Sequence, residues 1–189
     1  MHPDELRAEL LRVLRVRYPA IEVEVAPWEE DPGRLAIRFI EPRFAGLYQR
    51  QRYHQLMQLI PAELYERELS NAIWFELAPG ERPEELRSDD EELTEDIAPA
   101  VLGVLARQRV FEALDDLLCP QDEQAPREAC VGDFRHTRRI LEARGHDAEA
   151  QFDVFHVLMA RGGFCDCEIL ANVADASRFR ERFWSRHGA

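Results

Sequence analysis

The sequence predicts an α+β protein built in two parts, a small domain of mixed helices and strands followed by a mainly helical one. Three observations carry this reading. Two runs of alternating apolar and polar residues stand on either side of a turn-forming stretch, Glu29-Glu30-Asp31-Pro32-Gly33. Helical spacing is sustained through most of the chain beyond Ile97. Between the two parts, Glu84 to Asp96 holds eight acids and one arginine, the composition of a linker or a solvated helix start.

The elements follow in order. Leu6, Leu10, Val13, Leu14 and Arg17 recur at helical spacing from Pro3 to Arg17, and Pro19 stops the run. Ile21, Val23 and Val25 alternate with Glu22 and Glu24, the period of a half-buried strand. Leu35, Ile37 and Phe39 give a second strand, so the two should form an antiparallel hairpin. Gly46 to Leu59 returns to helix, with Leu56 and Leu59 as core positions, and Pro61 opens a short helix to Leu69. Ala72 to Ala78 reads as a third strand ended by Pro79-Gly80. Trp74 and Phe75 are adjacent on it and must face opposite sides of the sheet.

Helices are then predicted over Ile97–Leu118, Asp133–Arg144 and Asp147–Arg161. Asp133 and Asp147 are suited to N-caps, and Gly145 and Gly162 stand where C-terminal caps belong. The resulting boundaries are an α-β-β-α-α-β domain over residues 1–88, an acidic linker and helix over 89–123, and a helical domain with a cysteine motif over 124–189.

Charge narrows the function classes. The net charge of −13 is concentrated in the middle segment: residues 1–88 carry −4, residues 89–123 carry −9, and residues 124–189 balance. An acidic chain repels phosphate backbones, which argues against a nucleic-acid partner and leaves a protein partner. Every basic residue is arginine, so Schiff-base chemistry and the lysine of a phosphate loop are excluded. No run approaches the roughly 18 apolar residues of a membrane span, and Met1-His2-Pro3-Asp4-Glu5 does not read as a secretion signal. The expected compartment is the cytoplasm, where thiols stay reduced or metal-bound. The serine-hydrolase, zincin and glycine-rich phosphate motifs are all missing, so the sequence points to binding rather than catalysis.

Two of the four cysteines lie in Gly162-Gly163-Phe164-Cys165-Asp166-Cys167-Glu168. Were this segment extended, the two Cα atoms would be about 6.6 Å apart, near the upper limit of about 6.8 Å for a disulfide. A zinc ion, with bonds to sulfur of about 2.3 Å, would bridge the pair comfortably. Asp166 and Glu168 would then point away, free to bond groups that support the site or to make surface contacts. Cys130 and His136 flank the start of the next-to-last long helix and are the best further ligands, giving a closed, structural Cys3His site of Cys130, His136, Cys165 and Cys167. His156 is a reserve ligand. Cys119, before Pro120, reads as an apolar helix end. Two other readings stay open: plain structural cysteines, or a redox pair of Cys165 and Cys167 with Cys130 resolving it.

Two resemblances add to this. Phe44, Gly46, Arg52 and Arg82-Pro83-Glu84-Glu85 fall at intervals that resemble the BolA family, which implies a KH-like α+β domain. Tyr53 and Asn71 stand where that family has histidines, and the second of those helps its members share an iron–sulfur cluster with a glutaredoxin. His54 lies one step away and matches no motif position. The resemblance therefore implies a fold, with a glutaredoxin or iron–sulfur partnership as a further alternative. Cys130 to Thr137, with Gly162 to Val173, is similar to an uncharacterised bacterial family bearing Gly-Gly-(Tyr/Phe)-Cys-Asp-Cys-Glu and Asn-Val. It lends homology and no activity. The function expected is that of a two-domain binding or adaptor protein with a structural zinc-like clamp.

Overall fold

A computed structural model describes residues 1–85, 91–121 and 126–187. It is a mixed α+β structure whose chain divides into two compact units, Met1–Ser88 and Asp89–Ala189.

The first unit is a three-stranded sheet with helices packed on one face. Helix α1 (Pro3–Leu14) starts at His2, whose imidazole accepts from the Asp4 N–H, and buries Leu6, Leu10 and Leu14. Those residues recur every four positions, so they form one stripe along the helix. Strands β1 (Glu22–Pro27) and β2 (Leu35–Ile40) pair antiparallel, with Val23 opposite Phe39 and Glu24 opposite Arg38. The chain crosses through α2 (Gln49–Met57) and α3 (Ala62–Leu64), which runs on as a π turn over Tyr65–Leu69. Strand β3 (Ile73–Leu77) then lies parallel to β2, so the sheet order is β1-β2-β3.

Alternation sorts the side chains of this sheet. Val23, Ile37 and Phe39 face the helices and join Leu6, Leu10, Leu14, Phe44, Leu56 and Leu69 in one core. Trp74 packs against that core, its ring 5.2 Å from Phe39 and 5.4 Å from Tyr53. Phe75 faces the other side, against Trp28 at 5.6 Å. Arg52 is buried and joins elements: its guanidinium donates to the Leu47 and Glu76 carbonyls and forms a two-pronged pair with Glu81. Its role here is to tie α2 to the end of β3.

The second unit is helical. A single helix over Ile97–Leu118 is not what forms. The chain makes α4 (Glu91–Arg107) and α5 (Val110–Leu118), broken at Arg109, whose backbone is left-handed at φ 54°. A non-glycine residue there costs about 1–2 kcal/mol. Arg144, at the end of α6 (Arg135–Ala143), braces the break by donating to the Gln108 and Arg109 carbonyls at 2.8 and 3.2 Å. Pro99, the residue type that usually ends a helix, lies inside α4.

Gly145 at φ 84° turns the chain into α7 (Ala148–Ala160), where Asp147 caps the Ala150 N–H as expected. The Phe134 and Phe155 rings stack at 4.5 Å and 9° and join α6 to α7. A short helix α8 (Asp166–Glu168) continues as a π turn over Ile169–Val173 and leads to α9 (Arg178–His187). Part of the acidic stretch, residues 86–90, lies outside the described residues, and α4 begins at Glu91. Among the described residues no helix is long and apolar enough to cross a membrane.

Candidate metal centre

The cysteine motif is a device for turning the chain sharply and then holding it. Gly162 ends α7 at φ 83°, a conformation that L side chains rarely adopt. Gly163 answers a different need: a Cβ there would meet Ile169 Cγ1 and Val173 Cγ2 at 3.0 Å. The turn over 169–173 can press against Gly163 only because that Cβ is missing. Asn172 then fastens the two pieces, its amide donating to the Gly162 carbonyl at 2.7 Å. The Phe164 N–H donates to the Glu168 carboxylate at 3.0 Å, closing a small loop around Cys165 and Cys167.

The segment is not extended as the sequence suggested. Cys165 is extended, at φ −154° and ψ 171°, but helix α8 starts at the next residue. The Cys165 and Cys167 sulfurs lie 3.3 Å apart.

Asp166 takes the supporting role, not the surface one: it is fully buried. Its carboxylate accepts from the backbone N–H groups of His136 and Thr137, each at 3.0 Å, and from the Thr137 hydroxyl at 2.6 Å. Helix α6 has no side-chain cap of its own at Phe134, so these otherwise unpaired donors are satisfied from 29 and 30 residues away. Asp133, the expected cap, accepts instead from Arg135, while its carbonyl receives the Asp166 N–H at 3.0 Å. Burial raises the Asp166 carboxyl above its ordinary range, and the Thr137 hydroxyl and the two N–H donors oppose that rise.

Docking Asp166 on the start of α6 sets Cys165 and Cys167 beside Cys130. The three sulfurs lie within 4.8 Å of one another. Tetrahedral bonds of about 2.3 Å place sulfurs about 3.8 Å apart, so this spacing suits a thiolate-bound ion. The electrostatics suit it too. Cys130 is held far below the ordinary thiol range, first because the Cys165 and Cys167 thiols hydrogen-bond to its sulfur, then by the Gly132 and Cys167 N–H groups. Cys165 and Cys167 are pushed up, first by their interaction with Cys130. A bound cation would favour the thiolate form of all three.

The remaining candidates separate clearly. His136 is buried at the start of α6, and its imidazole is not one of the ligand atoms in the three-sulfur group. Its Nε2 lies 3.3 Å from the Ala129 carbonyl, and its Nδ1 is buried with no hydrogen-bond partner among the described residues. His156 turns back to the Phe152 carbonyl of its own helix at 2.7 Å. Cys119 is buried at the end of α5, away from the cluster. Sequence reasoning offered Asp166 and Glu168 a supporting role without naming their partners, and missed Gly163 and Asn172 as parts of the site. Their signal was their presence in the cysteine motif itself.

The comparisons with known proteins bear on this segment alone. Residues 117–172, which include all three clustered cysteines and Asn172, match a family described as protein of unknown function (DUF2695). No curated protein and no solved structure matches the chain. The C-terminal part is thus similar to a family that has no assigned activity.

Proposed function

We propose that residues 89–189 form a zinc-clamped helical module, and that the protein acts by binding another protein through it. The observation that carries this reading is the convergence of three thiols, drawn from two segments of the chain, on one half-buried point. Thiolate-rich, tetrahedral surroundings favour zinc among the common divalent ions. Cys130, Cys165 and Cys167 supply three ligands, and His136 is proposed as the fourth. In its support, the Nε2–Ala129 contact fixes one ring nitrogen as a donor and leaves the orphaned Nδ1 with a free lone pair. A four-ligand site is closed and stabilises the fold rather than reacting. The net charge of −13 favours a protein partner over nucleic acid, and four free thiols suit a cytoplasmic setting.

Elemental analysis and thiol titration of protein purified without chelator test this together. The expected result is about one zinc per chain, with the buried Cys119 reacting only on denaturation and the three clustered thiols only once metal is also removed. Cys130→Ser, Cys165→Ser and Cys167→Ser should each lower zinc content severely, and His136→Asn should do so less severely. A metal ratio near zero with all four thiols titrating freely would overturn the proposal.

One observation favours a second reading. The 3.3 Å approach of Cys165 to Cys167, beside an acidified Cys130, is also what a dithiol reductant needs. In that reading a Cys130 thiolate attacks a substrate disulfide and releases one substrate thiol. Cys165 or Cys167 then displaces the second, leaving a protein disulfide. Metal-free protein with disulfide reductase activity, lost in Cys130→Ser, would favour it. Kinship of the first unit with BolA is proposed on its α-β-β-α-α-β order alone. The iron–sulfur partnership gains no support there, because Tyr53 packs on Trp74 and no histidine stands at position 71.

A further inference from the structure

The face of the first unit's sheet that turns away from its helices carries a cavity of about 560 Å³, within the size range of ligand sites. Its floor follows from strand register. Glu24, Arg38 and Phe75 are paired neighbours across the three strands, and Ala26 pairs with Ala36 in the next row. Two alanines leave room where larger side chains would fill the face. Trp28, just beyond β1, leans on Phe75 with ring centroids 5.6 Å apart, so one wall is aromatic.

The rim is acidic. Glu24 comes from β1, Glu29 and Glu30 from the β1–β2 loop, and Glu84 from the turn after β3. Among the described residues Arg38 is the one cation lining the cavity, and Glu24 already engages it at 3.5 Å. Glu29, Glu30 and Glu84 are exposed and make no ion pair with any other described residue. An aromatic wall beside carboxylates that outnumber the lining cation is complementary to a cation with a flat or apolar body.

We propose that this groove binds a short arginine-bearing segment of a protein partner, one guanidinium lying over Trp28 and Phe75 and its neighbours meeting the glutamates. Guanidinium fits better than ammonium, since it stacks on aromatic faces and pairs with carboxylates in a fork. A peptide fits better than a free amine, because the carboxylates come from three separate segments and ring the floor instead of converging on one point. This site is independent of the cysteine cluster, which lies in the other unit.

Calorimetry of the full chain with the blocked peptide Arg-Leu-Arg-Leu-Arg tests the assignment. Saturable binding is expected, weakening several-fold as salt is raised through about 0.3 M. The triple variant Glu29→Gln, Glu30→Gln, Glu84→Gln should weaken binding about tenfold, since these are exposed pairs of modest individual worth. Trp28→Ala should weaken it similarly, and a lysine version of the peptide should bind a few-fold less well. The metal content of these variants should equal that of the parent protein, so failure here is separable from failure of the zinc reading. The proposal is overturned by no saturable binding at millimolar peptide, or by affinities unchanged in both variants. Equal binding of a glutamate-bearing peptide or of free spermidine overturns it too.

Discussion

At the scale of single residues, Asp166 does the most for the site without offering a ligand to it. It stands between two of the three clustered thiols, and its carboxylate closes the start of a helix that begins five residues after the third. Asp166→Ala strands three buried donors at once and removes a negative charge from a helix N-terminus. We expect a stability loss of about 3 kcal/mol and at least a tenfold loss of zinc affinity. Asp166→Asn keeps one acceptor oxygen and should lose roughly half as much. Thermal melts of chelated and zinc-loaded protein check both. Wild-type stability in Asp166→Ala would mean that the cap does not hold the sulfurs together. Sequence could leave a supporting role open for Asp166 but not name its partners, which are two backbone N–H groups and a hydroxyl 29 and 30 residues away. A carboxylate in a polar motif reads as solvated until its distant donors are known.

At the scale of elements, the strands and most helices could be read directly, since leucines at four-residue intervals and valines at two leave little choice. The break between α4 and α5 could not. No glycine marks it, and the left-handed turn falls on Arg109 because Arg144 supplies donors to the two carbonyls it exposes. Strand β3 hides a comparable surprise. Its second inward-facing position is Glu76, which is buried beside Gln49 and whose carbonyl receives Arg52. Burial pushes the Glu76 carboxyl up from 4.5 to about 7. The folded state therefore keeps its proton after the unfolded chain has lost it, so stability from this group is full below about pH 4.5 and drains away as pH rises through about 7. At roughly 1.4 kcal/mol per unit, a few kcal/mol are at stake. Glu76→Gln should flatten the fall in stability between pH 5 and 8, measured by urea unfolding across that range. A slope unchanged by the substitution would assign it to other groups.

At the scale of the whole molecule, the chain divides into two units, Met1–Ser88 and Asp89–Ala189. Sequence already offered Cys130 as a co-ligand of Cys165 and Cys167, and the three sulfurs do lie within 4.8 Å of one another; what it could not supply was the packing of Asp166 on α6 that accompanies this convergence. Two units with separate cores should respond separately to metal removal. Chelation is expected to lower the unfolding temperature of the 89–189 unit by on the order of 10 °C, which is about 2 kcal/mol in a domain of this size. Residues 1–88 made alone should unfold cooperatively and ignore the chelator. A fragment that fails to fold, or that shifts with chelation, would contradict the division.

The turn at Gly145 has a consequence for how fast the sulfur cluster can assemble. Cys130 and Cys165 are 35 positions apart, and closing so long a loop at random is an entropic search. Helices α6 and α7 fill most of that interval, and a single glycine folds them back so that Phe134 lies on Phe155. Helices form in about a microsecond from local contacts. The ligands are therefore delivered to each other by a helix–turn–helix rather than found by diffusion of a loose chain. By setting where the two helices fold back, Gly145 shortens the search that brings Cys130 to Cys165.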